Sequence, residues 1–169
     1  MKPARYVAAA VATLAIAVGA YLSFEGSGPR GPAPQIGYTL LDGTQSDTSQ
    51  LRGKVVLMNF WATSCSVCMQ EMPQIVATHE KFKARGYDTL AVAMSYDPPA
   101  SVAHYAQSRQ LPFGVAIDNT GAIAKGFGDV RGTPTTYLIN RRGEIVKRYI
   151  GAPDFAALHQ LVDKLLAET

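Results

Sequence analysis

The sequence is poor in residues that bind metals. It contains only two cysteines and three histidines among its 169 residues, and the histidines are scattered along the chain. A structural zinc site requires four cysteine or histidine ligands grouped at short spacings. This composition therefore argues against a zinc site.

The sequence also lacks an internal repeat, a glycine-rich phosphate loop and a strong excess of charge. Its net charge is +3, of which Lys2, Arg5 and Arg30 against Glu25 contribute +2, leaving +1 for the rest of the chain. A nearly neutral globular part has no basic footprint for nucleic acid. A hydrophobic content of 47% with 17% charged residues instead predicts one packed domain.

An uncharged apolar stretch lies near the N-terminus, at residues 6–24, with basic residues before it and Glu25 after it. Its length is just sufficient for a helix to cross a bilayer, and the flanking charges orient the N-terminus toward the cytoplasm. We therefore predict a membrane anchor within residues 1–25. The alternative is a cleavable signal peptide with a small-x-small site at residues 18–20. Both interpretations predict that the rest of the chain is exported.

The most informative stretch of the sequence begins at Val55. Residues 55–60 are apolar apart from Asn59, and three of them are β-branched or aromatic, which is typical of a fully buried strand. The short side chains of residues 62–64 suit a tight loop and a helix N-cap. Cys65 and Cys68 follow with a spacing that places them on one face of a helix, within disulfide reach.

A cysteine in the first turn of a helix faces unpaired backbone N–H groups, which favour the thiolate over the thiol. We therefore predict a redox-active dithiol in which Cys65 attacks a disulfide and Cys68 resolves the mixed disulfide. An inert structural disulfide is the alternative, although a bond that closes so short a loop restrains little of the unfolded chain.

The rest of the pattern predicts a linker and one α/β domain. Residues 26–34 are rich in glycine and proline and predict an extended linker, and residues 35–169 form the domain. The predicted elements are a hairpin at 36–49, strands at 55–60, 89–94, 113–117, 135–139 and 145–150, and helices at 66–85, 98–107, 121–127 and 154–168. This order predicts a mixed sheet covered on both faces.

The segment from Trp61 to Cys68 (WATSCSVC) resembles the WCxxC active-site region of the thioredoxin superfamily. With Glu71-Met72-Pro73 following, it is most similar to the membrane-anchored TlpA/ResA-type thiol–disulfide oxidoreductases. The resemblance covers residues 35–167. It implies a thioredoxin-like three-layer α/β/α sandwich with a mixed sheet and an N-terminal β-hairpin, preceded here by one transmembrane helix. It also implies no cofactor other than the redox-active Cys65–Cys68 disulfide.

The resemblance further implies an extracytoplasmic enzyme that reduces disulfides of partner proteins and is recycled by a membrane thiol electron donor. Typical substrates of the group are apocytochrome c and copper-site assembly proteins. The expected location is the bacterial inner membrane with the domain in the periplasm, or the periplasm itself if a signal peptide is cleaved. Ser66-Val67 matches neither the Gly-Pro of thioredoxin nor the Pro-His of the strong oxidant of the superfamily. A thiol oxidase or isomerase therefore stays open as an alternative.

Further site residues follow from the same resemblance. Thr133-Pro134 resembles the cis-proline loop that faces the dithiol in this superfamily, so both residues are expected to bind substrate. A cis bond would let the Thr133 backbone pair with an extended substrate segment. Trp61 is expected either to form an aromatic wall beside Cys65 or to pack in the core.

The proton acceptor for Cys68 is less evident. Thioredoxins carry a buried acid two residues before the tryptophan, but here Asn59 occupies that position and does not titrate. Asp97, after the next strand, is the candidate acceptor, and the alternative is that it caps a helix. Glu71 is expected to be an exposed helix charge. Surface positions are expected for the three histidines, His79, His104 and His159.

Two other functions compete with this interpretation. A copper(I) chaperone could use both thiolates, but chaperones of this fold usually separate their cysteines by three residues and add a downstream histidine. The methionines are expected to be core residues rather than copper ligands: Met58, Met69, Met72 and Met94. A peroxiredoxin-type peroxidase requires proline at the position that Met58 occupies, seven residues before Cys65.

Overall fold

A computed structural model describes residues 31–168 of the chain. The predicted anchor at residues 1–25 and the first part of the predicted linker lie outside the described residues. Within residues 31–168, no helix has both the length and the apolar composition needed to span a bilayer.

The sheet is mixed, as the sequence predicts. The described residues contain eight strands: β1 (Gly31–Pro32), β2 (Gly37–Thr39), β3 (Gln45–Asp47), β4 (Val55–Trp61), β5 (Tyr87–Ala93), β6 (Gly114–Ile117), β7 (Thr135–Ile139) and β8 (Glu144–Ile150). Six strands form one sheet in the order β1-β8-β7-β4-β5-β6, and β2 and β3 pair as a separate hairpin. β4, β5 and β6 run parallel, whereas β7 is antiparallel to both β4 and β8.

The described residues also contain four α-helices: α1 (Ser66–Phe82), α2 (Pro99–Ser108), α3 (Ala122–Gly126) and α4 (Phe155–Ala167). Residues of α1, α2 and α4 share a core with one face of the sheet. The other face is covered by α3 and the β2–β3 hairpin. The predicted layers are therefore present, with one outer layer built mainly from a hairpin and a short helix.

The central strand β4 is buried along its whole length. Its side chains alternate between the two cores, with Leu57 and Trp61 in one and Met58 and Phe60 in the other. Alternation follows from the two-residue period of a strand, and burial on both faces explains why every residue of the strand except Asn59 is apolar. The strand therefore ends at Trp61, at one end of the sheet and in its central part.

The sheet includes residues upstream of the predicted domain boundary at residue 35. Gly31 and Pro32 pair with Ile145 and Glu144 of β8, and the Ala33 N–H donates to the carbonyl oxygen of Gly143 over 2.8 Å. Part of the predicted linker is therefore an edge strand. Proline is tolerated there because an edge strand need not donate every backbone N–H.

The expectation of surface histidines is wrong for His79, which is only 6% exposed. Its Nδ1 lies 3.2 Å from the Thr89 hydroxyl oxygen, and its ring packs edge-on against Phe113.

His159 is half-buried, with Nε2 2.9 Å from the hydroxyl oxygen of Thr78. His104 is exposed, as expected. Burial lowers the pKa of both His79 and His159, because it disfavours the charged imidazolium.

Because its pKa is lowered, His79 makes the folding stability of the protein sensitive to acid. The unfolded chain binds a proton at His79 at a higher pH than the folded protein does, so folding stability falls as pH drops below about 6.5. We expect His79→Gln to cost about 1 kcal/mol at neutral pH but to reduce this acid-dependent loss. Urea unfolding of both proteins at a series of pH values from about 7 to 5 measures the effect. A difference in stability that is independent of pH would contradict the prediction.

Candidate active site

The two cysteines lie where the sequence places them, at the start of α1. Cys65 is the N-cap residue and is half-buried, whereas the Cys68 side chain is fully buried. They are joined by a disulfide, and their Cα atoms are 5.2 Å apart. The backbone N–H of Cys68 donates to Cys65 Sγ over 3.1 Å. The accessible sulfur is therefore the one that the helix N-terminus stabilises.

This geometry assigns different chemistry to the two sulfurs. A hydrogen bond from the Cys68 N–H and the positive end of the helix dipole both favour a thiolate at Cys65. Cys68 has no access to a bulky partner, but it can reach Cys65 across one turn. The arrangement can accept a mixed disulfide at Cys65 and release it through Cys68.

The Thr133–Pro134 peptide bond is cis, as the resemblance implies. β7 begins at the next residue, Thr135, which pairs with Phe60 of β4, so this loop and the cysteine loop lie at the same end of the sheet. The Pro134 carbonyl accepts from the Gly151 N–H over 2.9 Å. No hydrogen bond within residues 31–168 engages the backbone of Thr133.

A buried polar network lies beneath the dithiol. The Asn59 amide nitrogen donates to Glu71 Oε1 over 3.0 Å and to Thr136 Oγ1 over 2.9 Å. Asn59 is 0% and Glu71 3% exposed. Asn59 Oδ1 and Glu71 Oε2 have no hydrogen-bond partner among the described residues. The uncharged Asn59 amide is therefore the one hydrogen-bond donor, among the described residues, that offsets the cost of burying the Glu71 carboxyl group.

The expectation that Glu71 is an exposed helix charge is wrong. Burial raises its pKa from 4.5 to about 7, and the Asn59 hydrogen bond opposes this rise only in part. Since one pKa unit corresponds to about 1.4 kcal/mol, ionising Glu71 removes about 3 kcal/mol of stability as pH rises from 4.5 through 7. Helical spacing could have revealed the burial, because Glu71 falls on the face that carries Cys68, Met72 and Ile75.

Asp97 is buried, but its contacts are with the cysteine loop. Its two carboxylate oxygens accept from the backbone N–H of Thr63 over 2.6 Å and from the Thr63 hydroxyl over 2.5 Å. It does not cap α2, whose N-cap is Pro98 without a side-chain hydrogen bond. Asp97 therefore ties the loop after β5 to the residues just before Cys65.

Trp61 lies in the core rather than at the surface. Its side chain is 0% exposed, and its ring packs against Tyr105 with the centroids 5.4 Å apart. Met58, Met72 and Met94 are also buried, in agreement with a packing role. Across residues 31–168, no group of three or more histidine, cysteine or acidic side chains is arranged to hold a metal ion.

Comparisons with known proteins agree with this site. The redoxin family profile matches residues 29–162. The chain is 31% identical to the thiol–disulfide oxidoreductase ResA of Bacillus thuringiensis over 133 residues, which cover 79% of this chain and 76% of that protein. It is 30% identical to ResA of Bacillus subtilis over 122 residues, covering 72% of this chain and 67% of the relative.

Solved structures give the same result. A protein from Neisseria meningitidis, proposed to be a thioredoxin, is 38% identical with a TM-score of 0.77, and the match covers 83% of this chain and 93% of that one. A protein from Chlorobium tepidum, proposed to be the thiol:disulfide interchange protein DsbE, is 30% identical with a TM-score of 0.74, covering 83% and 100%. The chain therefore belongs to the redoxin family and is a thiol–disulfide oxidoreductase of the ResA and DsbE type, with the Cys65–Cys68 pair as its dithiol.

Proposed function

We propose that this enzyme works as a reductant of disulfides in extracytoplasmic partner proteins, with no cofactor other than its own dithiol. One observation carries the exchange chemistry: an accessible Cys65 sulfur at a helix N-terminus accepts the Cys68 N–H, while the second sulfur is fully buried. The reducing direction is the one that the resemblance to the TlpA/ResA group implies. Such a pair separates the attacking thiolate from the resolving thiol.

The proposed reaction has two exchange steps. The Cys65 thiolate attacks one sulfur of the partner disulfide, which breaks that bond, forms a mixed disulfide and releases the first partner thiolate. Cys68 then loses its proton and attacks Cys65 Sγ, which releases the second partner thiol and forms the Cys65–Cys68 disulfide. Two electrons pass to the partner, and a membrane thiol donor returns the enzyme to the dithiol state.

We assign the proton of Cys68 to Glu71. The two residues are three apart on the buried face of α1, so their side chains are neighbours on the helix surface. A carboxyl group with a pKa near 7 can accept a proton at neutral pH. Asp97, the acceptor expected from the sequence, is committed to Thr63 and is better suited to hold the cysteine loop.

Substrate would bind along the cis-proline loop. The free backbone groups of Thr133 can pair with an extended partner segment, and Pro134 would hold that segment against the dithiol. Trp61 would contribute from beneath, as the packed support of the loop that carries Cys65.

The sequence and the relatives support a proposal for where the reaction takes place. We propose that residues 1–25 anchor the enzyme in the bacterial inner membrane with its domain outside the cytoplasm, or that a cleaved signal peptide leaves it soluble there. The resemblance to the TlpA/ResA group implies partners in cytochrome c maturation or copper-site assembly.

The division of labour between the cysteines predicts distinct phenotypes. Cys68→Ser should accumulate a mixed disulfide with a protein disulfide substrate, because the resolving thiol is missing. Cys65→Ser should form none and should lose turnover, because its remaining thiol is buried. Non-reducing gel electrophoresis after acid quenching measures both. Equal trapping by the two variants would contradict the assignment of the attacking sulfur.

The assignment of Glu71 predicts a change in pH dependence. In the wild-type enzyme, the rate of resolution should rise through an inflection near pH 7, where Glu71 becomes able to accept a proton. Glu71→Gln should remove this inflection and slow resolution by about 10²-fold above it. Asp97→Asn is the matched comparison and should keep the inflection. Stopped-flow kinetics across pH test the prediction, which fails if the Glu71→Gln profile retains the inflection.

The proposed direction of electron flow predicts the reduction potential of the dithiol. For the full chain in redox buffers, we expect a value near that of thioredoxin, about −270 mV, as a reductant requires. Mass spectrometry of alkylated protein measures the fraction reduced. A value approaching about −120 mV would instead indicate an oxidant or isomerase.

A further inference from the structure

The first described residues lie at the end of the sheet opposite the dithiol. Gly31 and Pro32 of β1 pair with the first residues of β8, and the Ala33 N–H donates to the carbonyl oxygen of Gly143 in the turn between β7 and β8. β4 starts at this end and finishes at Trp61. Its seven residues, at about 3.3 Å each, therefore separate this end from the dithiol by about 20 Å.

Arg141 joins several segments at this end. Its guanidinium donates to the carbonyl oxygens of Gly53 over 3.2 Å, Arg85 over 3.1 Å and Leu166 over 3.5 Å. The Gly53 N–H returns a hydrogen bond of 2.8 Å to the Arg141 carbonyl oxygen. An ion pair between Arg85 and Asp163 connects the end of α1 to α4. We call the joined segments the entry end: residues 52–54, 80–88, 141–144 and 163–168.

The entry end carries an excess of positive charge. Its segments contain eight lysine and arginine residues and five aspartate and glutamate residues, which gives a net charge of +3. The other residues between 31 and 168 contain five basic and seven acidic side chains, with a net charge of −2. The near neutrality of the domain as a whole therefore hides a separation of charge between the entry end and the rest.

Ion pairs within the entry end neutralise only part of this charge. Four of its eight basic residues form such pairs, as in Lys54–Asp88 and Arg142–Glu144. Arg52 is exposed and forms no ion pair with the described residues. Positive charge at this end is therefore available to an anionic surface outside the domain.

We propose that the entry end binds anionic phospholipid headgroups of the membrane that holds residues 1–25, so that the dithiol faces away from the bilayer. This inference rests on the anchor that is part of the proposed function. Six residues separate the end of that anchor from Gly31, and they span at most about 22 Å. The anchor thus keeps the entry end near the membrane surface, where lysine and arginine are attracted to anionic lipids and the negative remainder of the domain is repelled.

This orientation leaves the dithiol accessible to partners outside the cytoplasm. The contact is electrostatic, and individual surface ion pairs are weak and are screened by salt. The domain can therefore also leave the surface and turn its dithiol toward a membrane thiol donor.

The test uses the full chain in lipid nanodiscs of phosphatidylcholine, with or without about 30% phosphatidylglycerol. Brief acetylation with acetic anhydride, followed by mass spectrometry, measures the reactivity of each lysine. We expect Lys54 and Lys83, at the entry end, to react about fivefold more slowly in the anionic discs than in the neutral discs, whereas Lys125 of α3 should change less than twofold. Raising NaCl to about 500 mM should abolish the protection.

Two double variants identify the charges responsible. Arg52→Gln/Arg142→Gln should reduce the protection of Lys54 and Lys83 to less than twofold. Arg109→Gln/Arg131→Gln is the matched control, because it also removes two exposed arginines but lies outside the entry end, and it should retain the protection. Protection that does not depend on lipid charge, or an equal loss in both double variants, would overturn the lipid contact.

Orientation has a separate readout, since Trp61 is the only tryptophan and lies at the dithiol end. Energy transfer from Trp61 to a dansyl-labelled lipid headgroup should fall when phosphatidylglycerol is added, and a rise would overturn the orientation. Co-elution of the chain with the neutral discs tests the anchor itself. A chain that fails to co-elute with them overturns the proposed anchor, whereas a chain that co-elutes but shows no lipid-dependent protection overturns only the role of the entry end.

Discussion

The active site depends on the pairing of β4 with both of its neighbours. β4 is parallel to β5 and antiparallel to β7, so the carboxyl ends of β4 and β5 and the amino end of β7 meet at one end of the sheet. The loops that carry Cys65, Asp97 and Pro134 are attached at those ends. Three segments that are far apart in sequence therefore become neighbours because of backbone pairing, and side-chain hydrogen bonds from Asp97 and Tyr96 then join them.

Two buried acids near this end of the sheet show how environment separates roles. Both oxygens of Asp97 accept hydrogen bonds from one residue, Thr63, so this carboxylate fixes the position of the cysteine loop. Glu71 receives one hydrogen bond from a neutral amide and is otherwise surrounded by the core, so its pKa rises toward neutrality. The same chemical group thus holds the loop in place at Asp97 and, in the role we propose, accepts a proton at Glu71.

Charged side chains lie both on the scaffold and beside the active site. Ion pairs such as Lys54–Asp88 and Arg85–Asp163 occur on strands and helices, and the exposed pair Arg131–Asp129 comes just before Thr133. The stretch that contains the dithiol, residues 61–70, has no lysine, arginine, aspartate or glutamate. This stretch therefore presents polar uncharged and apolar groups around Cys65.

The sequence by itself determined the features that depend on local pattern. The apolar run of β4, the spacing of Cys65 and Cys68, and the order of strands and helices predict the mixed α/β fold and the dithiol, because period and capping act within a few residues. Only the tertiary structure decided the burial of Glu71 and His79, the contacts of Asp97 and the exposure of Ile150. These properties depend on which elements pack against a side chain, and neither its identity nor its neighbours in sequence specify that packing.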